Sequence, residues 1–178
     1  WKEVREVLGQ KTLVVGTNMM ALALLKPPGE MGADIVIGDA QVFGAPMSLG
    51  GPTVGVFACK PEHVRKMPGR IIGKTVDHDG RMAFCMTLQT REQHIRRSKA
   101  TSNICSNEAL LALGAAAYLA VVGRTGLREI AATNVRNMRA LSERISKVPG
   151  FRAPHFSSAH FNEFVVTSDK DAKDIDRA

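Results

Sequence analysis

Val4, Val7 and Leu8 recur at helical spacing inside a charged stretch that Gly9 closes, so residues 2–9 are expected to form a helix. No capping residue precedes it, as if the element began upstream. Leu13-Val14-Val15, Asp34-Ile35-Val36-Ile37 and Val54 to Cys59 are short apolar runs, each read as a strand, the first of them buried. Asn18 to Leu25 reads as a loop with a helical turn. Pro27-Pro28-Gly29-Glu30 restarts the chain in a new direction, and Lys60-Pro61-Glu62 opens a short helix with proline near its first position. Ile71 to Val76 and Met82 to Leu88 flank Asp77-His78-Asp79-Gly80, a turn that needs positive φ, and predict a β-hairpin. Two apolar helices follow, over about 104–122 and 125–147, divided at Gly123; the second carries the stripe Leu127, Ile130, Val135, Met138, Leu141, Ile145. Asn162 to Thr167 reads as a further strand. The alternation of strands and helices predicts an α/β fold with a largely parallel sheet.

Composition narrows the picture. Of 178 residues, 44% are hydrophobic and 23% charged, the balance of a globular chain. No apolar run approaches the roughly 18 residues needed to cross a membrane, so no membrane partner is expected. Three widely spaced cysteines, Cys59, Cys85 and Cys105, suggest neither a disulfide framework nor a zinc site, and the expected compartment is the reducing cytoplasm. The net charge of +7 raises nucleic acid as a partner, but aromatic content is 5% and no aromatic residue interleaves the densest basic group, Arg91, Arg96, Arg97 and Lys99, so none is expected. His63, His78, His94, His155 and His160 have no metal-ligand spacing.

Gly32-Ala33-Asp34-Ile35-Val36-Ile37-Gly38-Asp39-Ala40-Gln41, Gly50-Gly51-Pro52, Met67-Pro68-Gly69-Arg70 and above all the run from Leu88 through Arg91-Glu92-Gln93-His94-Ile95-Arg96-Arg97-Ser98-Lys99-Ala100-Thr101-Ser102-Asn103 to Cys105 stand together. In these stretches the sequence resembles the P protein of the glycine cleavage system. The match is to its first subunit, or to the N-terminal half where both halves are one chain, and Ser106-Asn107-Glu108 resembles the split form. Family chains are longer at both ends, which makes this one look like a fragment.

The resemblance implies the type I fold of pyridoxal-phosphate (PLP) transferases, aspartate aminotransferase-like. Residues 1–123 would be the C-terminal part of the large domain and 124–178 the start of the small one. It also implies a cytoplasmic heterotetramer, the oxidoreductase glycine dehydrogenase (decarboxylating). This enzyme decarboxylates glycine on PLP and passes the aminomethyl group to the lipoyl arm of the H protein. In the catalytic half of the family a lysine precedes a glycine-rich turn. With that turn set on Gly50-Gly51-Pro52, the lysine position falls on Gln41, which cannot form an imine. Where the fold usually offers an aspartate to the pyridine nitrogen stands Asn18. The resemblance therefore implies that the second subunit holds PLP covalently and that this chain completes its site.

Thr101, Ser102 and Asn103 would approach the partner's cofactor phosphate, since hydroxyls and free N–H groups at a helix start favour an anion; plain N-capping is the other reading. Arg91, Arg96 and Arg97 would face the partner or substrate, or form a solvated face. Gln41 is otherwise a loop residue bonding nearby backbone, and Gly50-Gly51 a tight turn or a phosphate cradle. Two alternatives stand beside subunit 1 of the decarboxylase. One is a non-catalytic scaffold that docks the catalytic subunit and the H protein. The other is an independent PLP enzyme using a lysine such as Lys99.

Overall fold

The computed structural model describes residues 2–88, 92–100, 102–103 and 108–176, which divide into two compact units. The first comprises residues up to 17 and 27–116. Helix α1 (Lys2–Leu8) leads into strands β1 (Val14–Asn18), β2 (Ile35–Asp39) and β3 (Gly55–Cys59), which form one sheet in that order. Its core is Leu13, Val15 and Ala33, with Leu8 and Val36 packed against it. The expectation of a largely parallel sheet is corrected at β2 and β3. They pair antiparallel, Ile35 opposite Cys59 and Asp39 opposite Gly55. Residues 40–54 hold only a 3-10 turn and return the chain directly, whereas a parallel pair needs a crossover, usually helical.

The prolines act as expected, but on tighter helices. Pro28–Met31 and Pro61–Lys66 are 3-10 helices with proline at the first turn, and Gly32 ends the former at φ +95°. The predicted hairpin forms about the predicted turn. Strands β4 (Ile71–Val76) and β5 (Met82–Thr87) pair antiparallel, with Ile71 opposite Thr87 and Val76 opposite Met82. Asp77 makes the turn, its Oδ1 accepting from the N–H groups of Asp79 and Arg81 at 2.9 Å, and Gly80 takes φ +76°. On one face, Ile72, Val76, Met82, Phe84 and Met86 are between 43% and 65% exposed. Helix α2 (Gln93–Arg96) and a 3-10 turn (Arg97–Lys99) follow.

The second unit comprises residues 18–26 and 117 onward. Its 3-10 helix Met19–Ala23 is capped by Asn18 and buries Met19, Met20 and Ala21. The two expected apolar helices follow end to end within α3 (Ala109–Ile145), whose first residues belong to the first unit. Gly123 sits inside it at φ 63°, ψ −179°, a non-helical conformation at the predicted break. Across this join an 18-residue window reaches a mean hydropathy of 1.6, enough by length and composition alone to cross a membrane. Within this unit Ala131 and Met138 are fully or nearly buried on α3. The strand expected over 162–167 is reduced to β7 (Thr167–Ser168), which pairs with β6 (Phe151–Arg152), and α4 (Ala172–Asp176) follows.

Candidate functional site

The loop between β2 and β3 carries the position expected to matter most. Asp39 ends β2 and organises the turn: its Oδ1 accepts from the Gln41 N–H at 2.7 Å, and its other oxygen accepts from the Thr53 hydroxyl. The half-buried Gln41 donates its side-chain amide to the Pro46 carbonyl at 3.2 Å, while its own carbonyl accepts from Ala45 N–H at 3.1 Å. Gln41 is thus a loop residue bonded to nearby backbone, and its amide nitrogen is engaged. Gly50 closes the adjacent 3-10 turn with its N–H on Met47 O at 2.8 Å and φ +103°, so the glycine pair forms a tight turn. Asn18 bonds locally too, its Oδ1 accepting from Met20 N–H at 2.9 Å.

Asp34, immediately before β2, is a buried carboxylate that sequence reasoning passed over. It accepts from Leu13 N–H at 2.8 Å, Lys60 Nζ at 2.5 Å and Arg5 Nη2 at 2.6 Å. The Leu13 N–H foremost, then the Lys60 ammonium and the Arg5 guanidinium, hold this carboxyl well below the usual range. Arg5 also donates to the carbonyls of Gly32, Gly9 and Lys11, so one side chain ties α1 to the sheet. The available signal was an acid flanked by Ala33 and Ile35 at the edge of an apolar run, where a buried charge demands partners.

Within the long signature, Glu92 is the buried charge. Arg70 Nε donates to both its oxygens, at 3.0 and 3.1 Å, and His94 Nδ1 lies 3.4 Å from Oε2. Arg70 precedes β4, so this pair fastens the signature to the base of the hairpin. No local pattern links two charges 22 residues apart, and the sequence held no sign of it.

Of the residues expected to face the partner, Arg91 and Thr101 lie outside the described residues. Arg96 ends α2, and Arg97 follows at φ 51°, ψ −122°, which L-residues rarely adopt; its N–H bonds Gln93 O, and both side chains are exposed. Ser102 is partly buried and Asn103 exposed, six or more residues ahead of Ala109, where α3 opens; the expected start at 104 lies outside the described residues. Lys99 is exposed. Among the described residues no three His, Cys, Asp or Glu side chains are grouped to hold a metal. Cys59 and Cys85 are free thiols.

Comparison with known proteins bears on this arrangement. The family model described as "Glycine cleavage system P-protein" matches residues 2–177. A probable glycine dehydrogenase (decarboxylating) subunit 1 from Geobacillus sp. (strain WCH70) is 49% identical over 169 residues, 95% of this chain and 37% of that protein. The protein of the same name from Thermoplasma acidophilum is 45% identical, covering 94% of this chain and 38% of its own length. A crystal structure of glycine decarboxylase (P-protein) of the glycine cleavage system, in inhibitor-bound form, aligns with a TM-score of 0.85 at 46% identity, over 94% of this chain and 38% of that one. The chain therefore spans under two-fifths of the length of the relatives it matches.

Proposed function

Because the chain belongs to the glycine cleavage system P-protein family and has its α/β, type I PLP-transferase fold, we propose that it is part of subunit 1 of glycine decarboxylase (glycine dehydrogenase, decarboxylating), the subunit that does not bear the cofactor. Residues 1–123 end the large domain and 124–178 begin the small one. The partners are a second, PLP-bearing subunit, the lipoyl H protein and glycine, in a cytoplasmic heterotetramer.

The observation that carries this reading is Gln41. The residues around it do not fit an imine-bound cofactor: a carboxamide nitrogen is no nucleophile toward an aldehyde, and this one is donated to Pro46 O. Nor does Asn18, an N-cap, supply the carboxylate that a pyridinium nitrogen requires. PLP, held by the second subunit, supplies the electron sink for decarboxylation.

This chain's residues act by positioning. The Arg70–Glu92 pair anchors the segment that carries Arg91, Arg96 and Arg97 toward the partner, and Thr101, Ser102 and Asn103 toward the phosphate. The strained backbone at Arg97 supports a constrained role for this segment, since such conformations gather at ligand clamps and switch regions.

Borohydride reduction of the complex assembled from full-length subunits, followed by peptide mass spectrometry, tests the reading. The pyridoxyl adduct is expected on a lysine of the second subunit only. An adduct on any lysine of this chain, Lys99 included, would overturn it.

A further inference from the structure

Arg124, Arg128 and Arg136 stand at multiples of four residues along α3, on one face of the helix. With Leu24, Thr125, Glu129 and Ala132 they line an open surface groove of about 440 Å³, whose lining residues other than Ala132 are all exposed. Among the described residues none of the three guanidinium groups is in an ion pair. Arg136 is held by its own helix instead, Nη2 donating to Thr133 Oγ1 at 2.7 Å. Three cations against the carboxylate of Glu129 leave two positive charges uncompensated, and the Arg124–Arg128 pair repels itself along the helix until an anion arrives.

We propose that this groove binds a small organic phosphate. A phosphate monoester carries about −1.5 to −2 charges at neutral pH, which matches the surplus. Guanidinium forks are shaped for its oxygens, and the Thr125 hydroxyl adds a neutral donor. Leu24 and Ala132 supply an apolar wall for which a bare anion has no use, and the volume leaves room for an organic portion beside the phosphate.

Calorimetric titration of the protein at its full natural length with inorganic phosphate and with glucose 6-phosphate tests the assignment. Both should bind saturably, the sugar phosphate more tightly. The double variant Arg124→Ala/Arg128→Ala should weaken glucose 6-phosphate by about tenfold or more, and Arg128→Lys by less, with circular dichroism unchanged. Should the double variant unfold, Arg128→Gln alone carries the comparison. No saturable heat from glucose 6-phosphate, or variants that bind it as the parent does, would overturn the proposal. Equal affinity for the two probes would remove the organic ligand.

Discussion

Asp34 has one backbone N–H and two cations on a single carboxylate, and that makes it an acid sensor of the fold. Its pKa in the folded protein lies below the unfolded value. The stabilisation is therefore complete above the ordinary carboxylate range, about pH 4, and drains away as the pH falls below it toward the depressed value. Asp34→Asn should be less stable than the parent at pH 7 and show a flatter loss of stability below about pH 4, read from denaturant midpoints across that window. Arg97 offers a different test. Its positive φ costs on the order of 1–3 kcal/mol, of which glycine returns roughly 0.5–1 to backbone entropy. Arg97→Gly should accordingly stabilise the protein by roughly 1 kcal/mol, while Arg97→Ala leaves its midpoint unchanged. If both variants retain the turnover of the assembled enzyme, the guanidinium belongs to a solvated face and the partner-facing role fails. Gln41 shows what was legible at this scale. Its residue type denied it imine chemistry from the sequence, whereas its bond to Pro46 needed the folded loop.

The hairpin and the segment after it are coupled through Arg70 and Glu92. Removing the guanidinium takes the two-oxygen cationic partner from a buried carboxylate and leaves His94 beside it, so Arg70→Ala should cost about 2–3 kcal/mol, less than breaking a fully buried pair because Arg70 is 37% exposed. Hydrogen exchange should show β4, β5 and α2 loosening together, and loosening confined to β4 would contradict the coupling. In α3, a residue other than glycine at 123 meets no neighbouring atom within 4 Å, so the penalty for Gly123→Ala is conformational, about 1–3 kcal/mol by thermal unfolding. These elements were read unequally well. The hairpin announced itself through Asp77 to Gly80, and the helix break through Gly123, because both signals are local. Of the pair β6–β7 only the second strand was foreseen, and its partner was not, since so short a ladder carries no periodicity and its strands lie 15 residues apart. The antiparallel turn of β3 onto β2 was missed because an apolar run does not state its direction.

For the whole molecule, kinship was legible from contiguous stretches, chiefly the run from Leu88 to Cys105, and the match over residues 2–177 bears it out. What the sequence could not convey is how charges far apart in the chain, such as Arg5, Asp34 and Lys60, converge, because convergence is a property of the packed core. The ribbon of β4 and β5 sets a practical condition on any preparation. Five oily side chains on one side of a two-stranded ribbon make a surface that other molecules of the same polypeptide will find at bench concentrations. Expressed alone, this polypeptide should elute as a smear of soluble aggregates, light up a hydrophobic dye, and be tamed by Phe84→Lys.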